Sequence, residues 1–245
     1  MRRRCTTISR VAFTVDVEQD APPYFASWRG LEEGMSLLLA LLDAHGIQAT
    51  FFVTGEAASR FPETIAAAAG KHEIGCHGLD HTRFDRIGVE EQRRQVDEAT
   101  AILQHVTGQA PAGFRAPNFQ YTRDTLRIVQ QAGYLYDASR ALYHRGLRDA
   151  CVDLLQIANT FPSSLLRLPW SLSGPLLRTS LLLLSLVVLD FHPWELVPIS
   201  GVRPDIRYAT GKTALRRLDS VLSHLRASGV RFTTLKEAAQ ALPHV

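Results

Sequence analysis

Two acidic residues, Asp16 and Glu18, stand two positions apart at the end of the apolar run Val11–Val17. In an extended strand, residues i and i+2 point to the same face. Both carboxylates would therefore face one place beyond the strand, where they could bind a cation or take a proton. An acidic strand end is also common as a helix cap or a solvated turn, so the pair alone leaves the chemistry open.

Two histidines, His77 and His81, follow a second short run, Glu73–Cys76. The His-x-x-x-His spacing puts both imidazoles on one side of a turn or helix, and neutral imidazole is a common ligand of zinc and similar ions. Such pairs also occur by chance. A carboxylate from Asp16 or Glu18 would complete a set of three ligands with an open position, which is typical of a catalytic rather than a structural zinc.

Two further polar residues follow apolar runs. Arg115 ends the run Gly113–Arg115, where its cation could pair with a catalytic carboxylate and keep it ionised. His192 follows the apolar run Leu186–Phe191. Each has an ordinary alternative, a surface arginine in the first case and a satisfied core histidine in the second.

Together, four segments resemble the NodB-homology polysaccharide deacetylases, a family similar to carbohydrate esterase family 4. The segments are Phe13–Glu18, Glu73–His81, Gly113–Phe119 and Leu189–Glu195. The resemblance covers nearly the whole chain. It implies a metal-dependent hydrolase that removes an N-acyl group, most often N-acetyl, from an amino sugar or a sugar-containing biosynthetic intermediate.

For the first segment, the resemblance implies that Asp16 is the general base and that an acidic neighbour binds the metal. The family usually has two adjacent aspartates, whereas here Val17 follows Asp16 and the next acidic residue is Glu18. Glu18 is therefore the predicted metal ligand, although the roles of Asp16 and Glu18 could be reversed.

The other segments imply the remaining roles. His77 and His81 would complete the metal site, Arg115 would orient the base, and His192 would protonate the leaving amine. Zinc is the expected metal, and cobalt, nickel or iron would suit the same ligands.

Four residues are predicted to contact the substrate. Pro117 and Asn118 lie where relatives use the backbone to form an oxyanion site, and this chain has Asn118 and Phe119 where a tyrosine often follows the proline. Trp170 and Trp194 would wall the acyl pocket or stack on a sugar face, and either could equally be a core residue.

Strands and helices alternate along the chain and would position these residues. The predicted strands are Val11–Val17, Ala49–Val53, Glu73–Cys76, Gly113–Arg115, Tyr134–Asp137, Leu165–Leu168, Leu186–Phe191 and Val230–Phe232. The clearest predicted helices are Leu31–His45, Val89–Val106 and Lys212–Arg226.

This alternation predicts an α/β fold, a distorted (β/α) barrel of about seven to eight parallel strands. No Pro/Gly/Ser-rich linker interrupts it, so we expect a single domain over residues 1–245 with a core at about 11–242. The segment Ser139–Ser164 lacks clear periodicity and is predicted to form a loop over the site.

Composition limits the alternatives. The chain has 245 residues, 46% of them hydrophobic, which suffices for a large core. A net charge of +3, with one basic run at Arg2–Arg4, argues against a nucleic-acid-binding protein. Cys5, Cys76 and Cys151 predict no disulfide framework. Because no apolar stretch follows the arginines, we expect a cytoplasmic protein; the oligomeric state is not indicated.

The longest apolar run, Leu181–Leu189, is much shorter than the about 18 residues that a membrane-spanning helix needs. We interpret it as a buried helix leading into a core strand. The alternative is a peripheral contact with a membrane or with a lipid-linked substrate.

The predicted substrate is an N-acylated amino sugar, and a cytoplasmic location favours a nucleotide- or lipid-linked one over an external polymer. Two other functions fit the same residues. One is a deformylase or cyclic-ureide hydrolase on the same scaffold, and the other is a non-catalytic carbohydrate-binding relative, which would normally have lost the base, a ligand or the acid.

Overall fold

The structure is a computed structural model that describes residues 9–143 and 152–241. Several predicted features lie outside the described residues: the basic run Arg2–Arg4, the cysteines Cys5 and Cys151, residues 144–151 of the predicted loop, and the end of the predicted core at 242. The remaining cysteine, Cys76, is buried, and burial raises the pKa of its thiol to about 11.

Eight parallel strands in the described ranges form one curled sheet. They are β1 (Arg10–Val17), β2 (Thr50–Val53), β3 (Glu73–Cys76), β4 (Gly113–Phe114), β5 (Tyr136–Asp137), β6 (Leu155–Gln156), β7 (Leu186–Phe191) and β8 (Arg231–Phe232). Their order in the sheet is β6, β5, β4, β3, β2, β1, β7, and β8 pairs with the start of β1. The predicted distorted barrel is confirmed.

Helices cover the outside of the sheet. They are α1 (Met35–His45), α2 (Gly55–Arg60), α3 (Pro62–Ala69), α4 (Val89–Thr107), α5 (Arg123–Gln131), α6 (Ser163–Leu166), α7 (Trp170–Leu183), α8 (Pro204–Arg207), α9 (Lys212–Ala227) and α10 (Leu235–Gln240). A π-helical turn, Gly30–Gly34, precedes α1, and short turns lie at Phe84–Arg86, Pro117–Phe119 and Pro193–Leu196. In the described ranges, no helix is long and apolar enough to cross a membrane.

Strand β1 lies at the centre of the fold, and its residues are buried on both faces. Every residue from Val11 to Val17 is buried. Strands that have parallel neighbours on both sides and helices over the sheet are usually buried in this way and consist mainly of apolar residues. Its register places Asp16 beside Phe52 of β2 and Val15 beside Phe191 of β7. The acidic end of β1 therefore emerges among the ends of its neighbours.

The two ends of the sheet are joined by the chain that follows β6. Ile157 donates its backbone N–H to Asp137 of β5, and Phe161 then bridges to Leu189 of β7. The predicted strand Leu165–Leu168 is wrong, because Leu165 and Leu166 form the end of helix α6 instead. A short apolar run fits a strand or a buried helix equally well. In the structure, the edge of the sheet beside β5 is formed by β6, Leu155–Gln156.

Two glycines let the π-helical turn approach the turn Pro193–Leu196. A Cβ atom on Gly34 would lie 2.2 Å from the carbonyl oxygen of Pro193, and one on Gly30 would lie 2.6 Å from the backbone nitrogen of Trp194. The carboxylate of Asp20 fixes this turn, since it accepts the backbone N–H groups of Arg29 and Gly30 at 2.8 Å each. Only glycine permits this close backbone contact.

We expect Gly34→Ala to lower the free energy of unfolding by about 1–3 kcal/mol, because the added methyl group overlaps backbone atoms that cannot rotate away. Urea unfolding followed by circular dichroism measures this. The control is Gly88→Ala, at a position with no other atom within 4 Å of the added Cβ and a φ of −68°. Equal losses in the two variants would contradict the steric explanation.

Candidate active site

Polar side chains follow the carboxyl ends of neighbouring parallel strands. Glu18 follows β1, His77 follows β3, Arg115 follows β4 and His192 follows β7. The backbone hydrogen bonds between strands continue past the strand ends, since the Arg115 N–H donates to the carbonyl of Cys76. Active sites of β/α barrels lie at this end of the strands. Six side chains predicted from the sequence meet there: Asp16, Glu18, His77, His81, Arg115 and His192.

Glu18, His77 and His81 direct their donor atoms at one point. The Nε2 atoms of the histidines approach the same oxygen, Glu18 Oε2, at 3.3 Å from His77 and 2.6 Å from His81. His81 has a φ of 62°, in the left-handed region that non-glycine residues rarely enter. This backbone turn brings its ring to 5.4 Å from the ring of His77.

The orientation of His77 fits a metal ligand. Its Nδ1 lies 2.8 Å from the backbone carbonyl of Arg115, so Nδ1 carries the proton and donates it there. Nε2 is then the nitrogen with the lone pair, and it is buried without a hydrogen-bond partner among the described residues. An orphaned imidazole nitrogen that faces a second histidine and a carboxylate matches the donor set of zinc and similar ions.

Electrostatics also favour a cation at this point. Burial by itself raises the pKa of Glu18, but His81, His77 and His192 outweigh it and hold the pKa well below its usual range. For His77, burial lowers the pKa, and the charges of Asp16 and Glu18 raise it. The carboxylates thus stabilise positive charge at this point.

Asp16 has a different neighbour, the guanidinium of Arg115. Asp16 Oδ1 lies 2.6 Å from Arg115 Nη1, and the same Nη1 donates to Thr14 Oγ1 at 3.0 Å and to Asp190 Oδ1 at 3.3 Å. Asp16 Oδ2 is 3.8 Å from His77 Nε2. One carboxylate oxygen is therefore held by the arginine, and the other faces the metal ligands.

A second group of potential ligands, Asp16, Asp190 and His192, lies beside the first. The arginine already occupies it, because Arg115 Nη1 is in contact with both aspartates. A metal ion there would be repelled by this buried positive charge. The set Glu18, His77 and His81 is therefore the better metal site.

Asp190 was missed by the sequence reasoning, although it lies in β7 two residues before His192. Burial and the charge of Asp16 raise its pKa to about 7, against the opposing charges of His192 and Arg115. The signal that could have found it is the i, i+2 spacing on a strand, which was applied to Asp16 and Glu18 but not here.

His192 is oriented by Glu195, which the sequence reasoning also missed. His192 Nδ1 lies 2.8 Å from Glu195 Oε1, and His192 Nε2 points to the metal ligands, 3.8 Å from Glu18 Oε1. Burial lowers the pKa of His192, but Asp190, Glu195 and Glu18 together raise it to about 10. The imidazole is therefore protonated at neutral pH.

Arg167 is the counter-charge of Glu195. Its Nε lies 2.5 Å from Glu195 Oε2, an ion-pair contact that falls outside hydrogen-bond angles, and both side chains are buried. Arg167 also donates to the backbone carbonyls of Asp205, Ile206 and Tyr208. Nothing in the local sequence indicates this pair, because Arg167 and Glu195 come from different elements.

The four predicted substrate-binding residues are placed differently. Pro117 is buried, and Asn118 is exposed with a φ of 56°. The ring of Trp194 lies 5.1 Å from that of His192. Trp170 stacks on His224 of α9 at 4.1 Å, and the structure does not bring it to the cluster.

The described part of the predicted loop reaches the site through Tyr143. Its ring lies 6.2 Å from that of Phe119, and its hydroxyl accepts a hydrogen bond from Asn159 at 3.0 Å. Burial and the charge of Asp190 raise the pKa of the Tyr143 phenol. An aromatic wall of Phe119 and Tyr143 therefore borders the side of the cluster where Asp190 lies.

A curled parallel sheet that carries two histidines and a carboxylate at its carboxyl end fits the class of metal-dependent hydrolases. The sequence model of the family described as polysaccharide deacetylase matches residues 3–136. The chain belongs to the polysaccharide deacetylase family. The match contains Asp16, Glu18, His77, His81 and Arg115.

Among curated proteins, the peptidoglycan deacetylase-like protein FGM2 of Gibberella zeae is 34% identical over 109 residues, which are 43% of this chain and 32% of that protein. The matched segment spans 32% and 36% of the length of the first two curated relatives. The chain thus matches only about a third of the length of these relatives.

Solved structures share the fold. A probable polysaccharide deacetylase from Pseudomonas aeruginosa matches with a TM-score of 0.74 and 19% identity, over 96% of this chain and 91% of that one. A CE4 family pseudoenzyme from Bacillus anthracis matches with a TM-score of 0.65 and 15% identity, over 95% and 66%. Because a pseudoenzyme has this fold too, catalysis must be argued from the side chains.

We expect His77→Ala and His81→Ala to weaken the binding of a divalent ion by more than about 100-fold, because each removes a ligand. Elemental analysis and calorimetric titration with zinc or cobalt measure this without any substrate. The control is His105→Ala, which removes an exposed histidine on α4. Full binding in either site variant would rule out this metal site.

Proposed function

We propose that this protein is a metal-dependent hydrolase that removes an N-acetyl group from an amino sugar. The observation that carries the proposal is that Asp16, held by Arg115, and His192, held by Glu195, both lie next to the residues that would bind the metal. A divalent ion bound by Glu18, His77 and His81 would polarise the acyl oxygen and make water easier to deprotonate.

Asp16 is the proposed general base. Arg115 binds only one of its oxygens, so the other is left at the edge of the metal site to take a proton from water. Glu18 cannot take this role equally well, because both histidines approach its Oε2 atom. This distribution of neighbours favours Asp16 as the base and Glu18 as the ligand, the assignment that the sequence left reversible.

His192 is the proposed general acid. Its Nδ1 is engaged by Glu195, so the proton available to the substrate is on Nε2, which faces the metal ligands. A raised pKa keeps this proton in place at neutral pH until the amine leaves. Arg167 holds Glu195 in position, and therefore orients the acid indirectly.

The amino-sugar substrate is supported by the family and by the name of the Gibberella zeae relative. The pair Phe119 and Tyr143 provides aromatic surface beside the cluster, which suits a sugar ring or an acetyl methyl group, whereas Trp194 is buried next to His192. Attachment of the sugar to a nucleotide or a lipid stays a prediction, as does the cytoplasmic location, which fractionation of the source cells tests.

We expect Asp16→Asn to lower the rate of acetate release by about 10²–10⁴-fold, because the amide cannot take a proton. The variant should still bind one divalent ion, since Asp16 lies outside the ligand set. The assay uses N-acetylglucosamine oligomers together with nucleotide-linked and lipid-linked N-acetyl sugars. Substantial activity of the variant on a substrate that the wild type turns over would exclude Asp16 as the base.

We expect Glu195→Gln to move the basic limb of the pH profile of kcat/KM to lower pH by about one unit. The reason is that His192 must be protonated to act as an acid. Loss of the neighbouring negative charge lowers its pKa, so the proton is lost earlier as pH rises. A bound metal also lowers this pKa, but it does so in both proteins.

The matched control for Glu195→Gln is Glu237→Gln, which removes a carboxylate that caps α10 away from the site. Its basic limb should coincide with that of the wild type. Thermal unfolding of each variant separates a change in the pKa of His192 from a loss of folded protein. An unchanged basic limb in folded Glu195→Gln would contradict the assignment of His192 as the acid.

A further inference from the structure

Helix α7 exposes a row of leucines on the outside of the protein. The prediction of a buried helix at the start of the run Leu181–Leu189 is therefore wrong, although the run does lead into the core strand β7. Leu172 is 57% exposed, Leu176 49%, Leu182 86% and Leu183 77%. At 3.6 residues per turn, Leu172, Leu176 and Leu183 share one side of the helix, and Leu182 lies beside them. The opposite side, with Ser173, Gly174 and Leu177, is buried against the protein. We call the four exposed residues the leucine face.

Two hydroxyl groups near the leucine face are hydrogen-bonded within helix α7. Thr179 donates its hydroxyl to the carbonyl of Pro175 at 2.9 Å, and Ser180 donates to the carbonyl of Leu176 at 3.1 Å. Pro175 has no N–H to satisfy. Hydroxyls that bond back to the helix cost little to remove from water, so this side of α7 can enter an apolar medium.

All formal charge in the segment that carries the leucine face is positive. The sequence has no Asp or Glu from residue 154 to residue 189. Arg178 is exposed on α7, with its guanidinium 5.8 Å from the ring centre of Trp170. Arg216 and Arg217 of α9 line the depression beside the same Trp170. Exposed leucines bordered by arginines are the pattern of a helix that lies in the plane of an anionic membrane surface.

This charge pattern decides between two kinds of partner. In a two-fold dimer, the same surface meets itself, so Arg178 and its neighbours would face like charges with no acidic residue from α7 to compensate. An anionic lipid surface supplies both the apolar medium and the negative charge. We propose that the leucine face and Arg178 dock this protein on a bilayer that contains anionic phospholipid.

Docking through α7 would bear on the catalytic centre, because the helix begins three residues after Arg167, the counter-charge of Glu195. The inference is nevertheless independent of the proposed function. Binding to lipid is measured without turnover, so a failed activity assay and a failed lipid assay are separate results.

The test is cosedimentation of the full chain with vesicles of phosphatidylcholine, with and without phosphatidylglycerol. We expect binding to the anionic vesicles and weaker binding at high salt. The double variant Leu182→Ser with Leu183→Ser should bind at least about tenfold more weakly, because two large apolar side chains no longer enter the lipid. Arg178→Glu with Arg216→Glu should remove the preference for anionic vesicles.

The matched control is Leu37→Ser, which changes an exposed leucine on α1 that is 42% exposed. It should bind like the wild type. A Leu182→Trp variant gives a second readout, because its new indole should show a blue shift of fluorescence emission on anionic vesicles. Absence of binding, or equal binding to both vesicle types, overturns the proposal. So does a wild-type dimer that the double variant converts to a monomer.

Discussion

A fully buried positive charge sets the arrangement of this site. Arg115 has no exposed surface, and a guanidinium that leaves water must be met by negative charge and hydrogen bonds. Asp16, Asp190 and Thr14 meet it at one nitrogen, Nη1, and the centre of the Phe52 ring lies 4.2 Å from its Cζ atom. Removing one member of such a buried pair costs about 3–5 kcal/mol. The ends of β1, β4 and β7 are therefore tied together by the charge that also positions Asp16.

The same residue separates the two carboxylates of the first segment. Asp16 and Glu18 share a face of the chain, so their spacing alone does not distinguish them. The guanidinium of Arg115 takes Asp16, and its backbone carbonyl turns His77 so that Nε2 faces Glu18. Asp16 is thereby held next to the fixed cation of Arg115, whereas Glu18 lies next to the proposed site of an exchangeable metal ion. The proposed division between base and ligand therefore rests on the neighbours of the two carboxylates.

The sequence predicted the parts of the site that depend on strand ends. Residues that directly follow an apolar run, such as His77 and Arg115, could be placed because parallel strands finish at one edge. Arg167 and Glu195 could not, since their pairing joins elements that only the folded chain brings together. The error at Leu165–Leu168 has a related cause. A four-residue apolar run has no periodicity to distinguish strand from helix, and the edge position had gone to Leu155–Gln156.

Residues at strand ends and residues paired across separate elements lie in different halves of the site. The half with Asp16 and the metal ligands lies within residues 3–136, the range that the family model matches. The half with His192, Glu195 and Arg167 lies beyond it, and Arg167 is fixed by carbonyls of Asp205, Ile206 and Tyr208. The first half needs the sheet and the turn with His81, whereas the second needs α6, α8 and the turn after β7 to pack together. A change that disturbs the packing of α6 and α8 should therefore displace His192 before it affects Glu18, His77 and His81.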